Sequence, residues 1–333
     1  QGETETGEGQ EMMTLPRSEG GHPEAPRLTQ RAEAGEIPSI DERRPVSPMV
    51  FETGVIMPAD ILEMEPGRYT EEFITAQTNG FIFAEPLMYR PNFSTSMKPN
   101  LVSSWQISDD LMTCTLTLRE GVRWSDGEPV TTEDVRFAYE DVVLNQELSP
   151  SPAAFFVAGG EPGELEIIDD YTFQFHFTVP HPEFLLQLNW FQNNYSDLVK
   201  PAHYLKRFHA DYAEPGDLTA LLAEEDLGGD EWVTLFLRKD VQAAGWSDQN
   251  TIGTPVLSPW MLESVNPSQV VWVRNPFYHA VDADGKQLPY FDRVVSLAVG
   301  SGAEANETGN LMMIDRQIDL AWGGGGEADI PFM

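Results

Sequence analysis

The chain has 333 residues, 41% of them hydrophobic and 11% aromatic, enough apolar material for a sizeable core in one large domain or two average ones. Its 54 acidic residues outnumber 20 basic ones, and the formal charge of −34 excludes nucleic acid and anionic lipid surfaces as partners, which need clustered Lys and Arg. A lone cysteine, Cys114, excludes an internal disulfide and any Cys-x-x-Cys site, and no apolar run is long enough for a transmembrane helix.

Residues 1–48 contain no Phe, Trp or Tyr and are rich in Gly, Glu, Pro and Ser, so the first part is expected to be a disordered or linker tail that cannot offset its ordering entropy. Within it, Pro26–Arg44 places Leu28, Ala32 and Ile37 at helical spacing and is expected to dock on the body. Gln1, with no initiating Met and no basic-plus-apolar leader, reads as the start of a processed or trimmed chain. The folded part is expected over 49–333. Phe73–Ala76 reads as a strand entering a loop at Gln77–Gly80, and Phe81–Tyr89 as a helix ended by Pro91.

Leu101–Tyr139 reads as strand, turn, strand, tight turn and capped helix. Trp105–Ser108 leads into Asp109-Asp110; Cys114, Leu116 and Leu118 then alternate with Thr113, Thr115 and Thr117, the period of a half-buried strand on which Cys114 acts as a small hydrophobe. Ser125-Asp126-Gly127 signals a tight turn. Thr131 is a suitable N-cap, with Val135, Ala138, Tyr139 and Val142 at helical spacing behind it. In Glu166–Val179, Tyr171, Phe173, Phe175 and Phe177 alternate with polar residues, giving a strand with one wet face. A short helical turn over Phe184–Leu188, a helix opening at Lys200–Leu205 and a helical stretch over Leu218–Arg238 broken at Gly228-Gly229 follow, with no internal repeat.

Residues with catalytic or ligating chemistry are scattered. His176, His181, His203, His209 and His279 form no local metal motif, and a structural or surface role is expected for each. Asp282-Ala283-Asp284-Gly285 opens like a calcium loop, but Arg293 stands where the closing acid is required, so a turn is expected. The Gly323–Gly326 run lacks the Lys and Ser/Thr of a phosphate loop. No G-x-S-x-G elbow occurs, and adjacent pairs such as Asp109-Asp110 and Asp169-Asp170 point apart.

Leu101, Ser104-Trp105, Ser108-Asp109-Asp110, Leu118-Arg119, Gly121-Val122, Trp124-Ser125-Asp126-Gly127, Pro129-Val130-Thr131, Glu133-Asp134-Val135 and Phe137 resemble, at fixed offsets, the signature of the family 5 extracellular solute-binding proteins of ABC importers. A second block is similar to the same family: Gly253-Thr254-Pro255, Arg274-Asn275-Pro276-Phe277-Tyr278, Leu288-Pro289-Tyr290-Phe291-Asp292-Arg293-Val294 and Gln317-Ile318-Asp319-Leu320. Between them, His181–Tyr212 resembles a short helix followed by P-x-H-Y-L, so the likeness runs from about Val50 to Asp319.

The resemblance implies an α/β fold, lobe I of a two-lobed periplasmic-binding-protein architecture (type II, cluster C), with mixed sheets and a peripheral subdomain near Glu140–Ala210. The second lobe is expected to be missing, because family members continue past the last motif. It also implies capture of a peptide or related small solute by cleft closure and delivery to the transmembrane subunits of an ABC permease. No catalysis, cofactor or metal is implied. A monomer is expected, periplasmic or extracellular, and the resemblance allows a membrane anchor through a lipidated N-terminus not present in this chain. Within the family, nickel complexes, haem-like groups and sugars are alternative ligands. A secreted hydrolase and a surface or adhesive protein are the rival classes.

Aromatic and amide groups at loop ends suit a peptide backbone, offering flat apolar walls and adaptable hydrogen bonds. Asn79, Phe81 and Phe83, after the first strand, and Trp190, Gln192, Asn193 and Tyr195, in an amide-rich cluster with Phe191 and Asn194, are therefore the candidate ligand contacts. Core packing is the competing reading for Phe81, Phe83 and Phe191, and the expected one for Trp105 and Trp124.

Overall fold

The computed structural model describes residues 24–51, 69–76, 85–89, 97–189, 195–300 and 302–321. At the N-terminal end, α1 (Pro26–Glu33) has proline in its first turn and buries Leu28. Helix α2 (Ile40–Arg43) is opened by a capping box of Ser39 and Glu42, whose carboxylate accepts from the Ser39 amide at 3.0 Å. Arg43 is fully buried. It pairs with Glu24, donates to the Pro276 carbonyl and reaches the Pro38 carbonyl at 2.9 Å. Strand β1 (Met49–Phe51) then pairs in parallel with Ala280–Asp282, so residues 24–51 form a strap integrated into the body.

Strand β2 (Thr70–Ala76) contains the expected Phe73–Ala76. The helix expected over Phe81–Tyr89 is not formed at its described end: β3 (Met88–Tyr89) is a strand antiparallel to β4 (Lys98–Pro99). The cause is long-range. The Leu87 carbonyl accepts from Val102 N–H at 2.9 Å and the Met88 amide donates to Asn189 Oδ1 at 2.9 Å, so groups far along the chain take the backbone partners at this end. Residues 81–84 of that stretch lie outside the described residues.

Strands β5 (Val102–Ile107) and β6 (Thr113–Leu118) make the hairpin read from the sequence. Helix α3 (Thr132–Arg136) starts where Thr131 Oγ1 accepts from Glu133 N–H at 3.3 Å. It continues as a π-helix over Phe137–Val143, where an α-helix was expected. The wider winding serves two cores: Val135 and Tyr139 enter the first, Phe137 and Val142 the second.

The short hairpin β7 (Val157–Ala158) and β8 (Glu161–Pro162) precedes β9 (Glu164–Ile167) and β10 (Thr172–His176), which complete an antiparallel sheet of order β5-β6-β10-β9. Cys114, Leu116, Phe173 and Phe175 face inward. On the wet face Thr115 Oγ1 donates to Gln174 Oε1 at 3.1 Å, and Thr113 meets His176 Nδ1 at 3.0 Å. Tyr139, Phe156, Phe175, Phe177 and Phe184 form an aromatic cluster beneath, with the Tyr139 and Phe175 rings edge-to-face at 4.9 Å.

Helices α4 (Phe184–Leu188), α5 (Ala202–Leu205), α6 (Pro215–Glu224), α7 (Trp232–Lys239) and α8 (Val241–Ala244) follow, α6 and α7 separated by the Gly228-Gly229 break. Residues of the subdomain expected over 140–210 are shared between the two cores: Phe156, Phe173 and Leu198 belong to the first, Leu148, Leu205 and Phe208 to the second with Leu222, Leu235 and Phe236.

The last layer is a mixed sheet. Strands β11 (Trp260–Asn266), β12 (Gln269–Arg274) and β14 (Phe291–Leu297) are antiparallel neighbours, and β14 pairs in parallel with β2; β13 (Ala280–Asp282) is the partner of β1. After α9 (Gly302–Ile314), β15 (Leu320–Ala321) adds in parallel to the other edge of β2. Asp319 anchors that addition, donating its amide to the Ile74 carbonyl at 2.7 Å and accepting from the Ile74 amide at 2.8 Å.

Candidate functional site

The three parallel strands end in register. Ala76 of β2 stands opposite Leu297 of β14 and Ala321 of β15, so their carboxyl ends share one edge. In open α/β sheets the crevice outside that edge is where ligands sit, because each strand must leave the sheet there and its loop lines the opening. Asn79, Phe81 and Phe83 follow Ala76 directly; they lie outside the described residues, as do Trp190, Gln192 and Asn193.

What the described residues show is how the two clusters are joined. The stretch containing Asn79, Phe81 and Phe83 re-enters at Glu85, and the stretch containing Trp190, Gln192 and Asn193 re-enters at Tyr195. The Tyr195 amide donates to the Glu85 carbonyl at 2.9 Å. One step away, Asn189 Oδ1 accepts from Met88 N–H, and Asn189 Nδ2 donates to the Leu185 carbonyl at 2.9 Å. Two groups of residues more than a hundred positions apart thus issue from one junction. Tyr195 lies inside the core at 1% exposure. Its hydroxyl accepts from Leu257 N–H at 3.0 Å, and its ring lies edge-to-face with Trp124 at 6.0 Å and Trp246 at 5.9 Å. In this structure it fixes the junction from behind.

Beneath the junction lies a polar cluster that the sequence reading missed. Glu85 is 3% exposed; its Oε1 accepts from Asn100 Nδ2 at 2.6 Å and its Oε2 from the Tyr278 hydroxyl at 2.8 Å. His279 Nε2 lies 2.9 Å from Asn100 Oδ1, which can only accept, so this nitrogen carries the proton. Arg119 donates through Nε to the Asn100 carbonyl at 2.8 Å and through Nη1 to the Ser47 carbonyl at 2.7 Å, tying the strap to the cluster. Burial pushes the Glu85 carboxyl up to about 7 against the pull of its Asn100 and Tyr278 hydrogen bonds. Burial likewise drives His279 down to about 3, with the Arg119 charge adding to the effect. The signal was present in the sequence: Glu85 is a lone charge within Phe81–Met88, an otherwise apolar run with one proline.

Two openings elsewhere lie away from the strand ends. A cavity of about 460 Å³ is lined by Arg27, Arg31, Met261, Arg274 and Asp292, and a groove of about 1210 Å³ runs between Ser47–Phe51 and the Ser103, Ser104 and Arg119 side of the hairpin. Neither is lined by Ala76, Glu85, Tyr195 or Leu297.

The signature residues are scaffold. Trp124 Nε1 donates to Asp134 Oδ2 at 3.1 Å, and the same carboxylate accepts from the amides of Thr131 at 3.1 Å and Ala202 at 3.0 Å. Ser125 exchanges two hydrogen bonds with Val256, both 3.0 Å, and Asp126 pairs with His203 at 2.8 Å. Asp282 spends its carboxylate on its own turn, accepting from Asp284 N–H at 2.9 Å, Lys286 N–H at 2.8 Å and the Tyr290 hydroxyl at 2.7 Å. Cys114 is buried, and burial pushes its thiol up to about 12. Among the described residues, no three His, Cys, Asp or Glu side chains converge in a group able to hold a metal ion, and no helix is long and apolar enough to cross a membrane.

Mixed α/β sheets with a long excursion between the parallel neighbours β2 and β14 define the class as a lobe of a periplasmic-binding-protein fold. Residues 96–330 match the bacterial extracellular solute-binding proteins, family 5 (middle region), and the chain belongs to that family. It is 30% identical over 305 residues to the periplasmic alpha-galactoside-binding protein of Rhizobium meliloti, covering 82% of this chain and 40% of that protein. It is 29% identical over 231 residues to the probable D,D-dipeptide-binding periplasmic protein DdpA of Escherichia coli, covering 68% and 34%. Among solved structures, the oligopeptide-binding protein OppA superposes with a TM-score of 0.77 at 27% identity, over 93% of this chain and 47% of that one. The periplasmic binding protein MelB of Agrobacterium fabrum, in complex with stachyose, shares the fold with a TM-score of 0.67 at 24% identity, over 90% and 44%. The chain therefore spans less than half the length of these relatives.

Proposed function

We propose that this chain is part of the substrate-binding component of an ABC importer. It captures an extracytoplasmic solute by cleft closure and delivers it to the transmembrane subunits of the permease. The observation that carries this reading is the shared edge formed by the carboxyl ends of β2, β14 and β15, which Asn79, Phe81 and Phe83 follow in sequence. Ligand contacts made to this edge and to a facing lobe stabilise the closed state by their differential affinity, and no chemical step is required. The component works as a monomer in the periplasm or outside the cell, anchored by lipid where a tether precedes it.

An oligopeptide is the first candidate solute. Asn79, Gln192 and Asn193 supply amides for a peptide backbone, and Phe81, Phe83 and Trp190 supply flat walls. A second reading, an α-galactoside, is favoured by the name of the 30% identical relative, and the same aromatic faces suit sugar rings. The test is calorimetric titration of the full-length protein with short peptides and with stachyose, beside Trp190→Ala and Asn79→Ala. Each substitution is expected to weaken the productive solute at least tenfold, about 1.4 kcal/mol. Unchanged affinity in both variants sinks the site, and heat from only one solute class decides between the readings.

A further inference from the structure

We propose that the cavity of about 460 Å³ between α1 and the strands β11, β12 and β14 is a binding site for a small monocarboxylate with an apolar body, held by Arg27 and Arg31 from the helix and Arg274 from the sheet. The site is separate from the edge proposed for the transported solute and does not depend on that reading, because neither Ala76 nor Leu297 lines it. Its volume falls within the range of about 300–1,000 Å³ typical of small-molecule pockets.

Arg274 points to a ligand. Its side chain is 3% exposed and forms part of the cavity wall. Nε donates to the Phe291 carbonyl at 3.0 Å, and the guanidinium lies over the Tyr69 ring at 5.2 Å. The two terminal nitrogens donate no hydrogen bond among the described residues. Nη2 has only an ion-pair approach to Asp292 Oδ1 at 3.2 Å, and Nη1 has no such partner. Leaving buried charged donors unpaired is costly, and native proteins pair nearly all of them. An acceptor that enters through the cavity meets that demand.

Helix α1 brings the other two cations. Arg27 and Arg31 are four residues apart and share a helix face, with Leu28 buried beside them. Arg27 has no ion-pair partner among the described residues, and Arg31 commits Nε to Glu36 Oε2 at 3.1 Å. Basic residues are scarce in this chain, 20 against 54 acidic ones, so three arginines around one cavity are a local reversal of its field.

The charge balance sets the class of ligand. Glu36, Glu263 and Asp292 also line the cavity, and each is already paired: Glu36 with Arg31, Glu263 with Arg293 at 3.2 Å, and Asp292 with Arg274. Three acids beside three arginines leave no surplus positive charge for a dianion such as phosphate. A single carboxylate needs only the guanidinium donors it bonds, and Leu28, Met261 and Val273 offer apolar wall for the rest of the molecule. Bound between α1 and β12, such a carboxylate also fastens the N-terminal strap to the sheet.

Calorimetric titration of the full-length protein with hexanoate at about 0.15 M NaCl, where charges beyond about 8 Å are largely screened, tests the assignment. Hexanoate is expected to bind, with hexanol and inorganic phosphate each weaker by about tenfold or more. Arg27→Gln and Arg31→Gln alter side chains that reach the surface, so the fold is kept, and each is expected to weaken hexanoate about fivefold. Arg274→Gln is expected to abolish binding; should it not fold, the two helix variants decide. Hydrogen exchange of the Ala34 amide, bonded to the Gln30 carbonyl at 2.9 Å, is expected to slow in saturating hexanoate in the wild type and not in Arg27→Gln. No saturation by about 10 mM hexanoate, the weakest affinity expected of a ligand this small, overturns the proposal. Equal binding of hexanol, or an affinity unmoved in both helix variants, overturns it as well, and tighter binding of phosphate overturns the monocarboxylate class.

Discussion

Replacing Asp134 by alanine tests whether the signature turn and the helix behind it are held as one unit. The carboxylate is 4% exposed and accepts from three buried donors: Trp124 Nε1, the Thr131 amide and the Ala202 amide, at 3.1, 3.1 and 3.0 Å. Stranding three such donors at about 1–3 kcal/mol each puts the loss at about 6 kcal/mol. Against this, burial pushes Asp134 from 3.8 up to about 6 despite those hydrogen bonds, so charging it near neutral pH already costs about 3 kcal/mol that alanine relieves. The net destabilisation at about pH 7 is thus about 3 kcal/mol. The folded-state value is raised, so the favourable contribution of wild-type Asp134 is complete below 3.8 and is lost as pH rises through 6. The gap between wild type and variant therefore widens as pH falls from 7 toward 4. Urea unfolding followed by tryptophan fluorescence at about pH 7 and pH 5 measures both quantities. A loss under about 1 kcal/mol at neutral pH, or a gap that narrows on acidification, refutes the reasoning.

Two further predictions concern the strap and the turn. Arg43→Ala leaves Glu24 buried without its cation and the Pro276 carbonyl without its donor, and is expected to cost about 3–5 kcal/mol in denaturant unfolding, whereas Arg43→Met with Glu24→Leu costs less than Arg43→Ala alone. Gly127 has φ of +97°, and a Cβ there would meet the Phe277 ring at 3.0 Å; Gly127→Ala is expected to lower stability by about 1–3 kcal/mol, only partly recovered by adding Phe277→Leu, because the backbone strain remains.

The hairpin and its sheet were legible because their determinants are local. Cys114, Leu116 and Leu118 alternate with threonines, and the register that buries them also brings Thr115 opposite Gln174. Other elements were decided by partners far along the chain. Met88–Tyr89 sits in an apolar run that reads as helix, yet Val102 and Asn189 take its backbone groups. The π-winding after Arg136 exists because Tyr139 and Phe137 serve different cores, which no single-helix period encodes. For the site, Tyr195 stood out in an amide-rich cluster, while the Leu257 amide that occupies its hydroxyl lies 62 residues on. Glu85 went unread, and His279 was expected only to be structural or at the surface, because a titratable residue shows its role only once Asn100 and Tyr278 are seen beside it.

The most recognisable residues and the proposed solute contacts belong to different ends of the lobe's design. Asp134 joins Trp124 to the start of α5, Ser125 binds Val256, Gly127 admits Phe277 and Asp126 meets His203. Each bond links segments distant in sequence, so each demands one residue type at one offset, and a change there costs the fold. A scaffold built this way supports exchange of the solute without exchange of the frame. It is consistent with one chain being similar both to a protein named for α-galactosides and to one named for oligopeptides. On the proposed site, overall identity identifies the frame, whereas the side chains at positions 79–83 and 190–193 are the ones proposed to select the solute. Exchanging those two stretches for the OppA equivalents is expected to move solute preference toward oligopeptides while leaving the urea midpoint within experimental error.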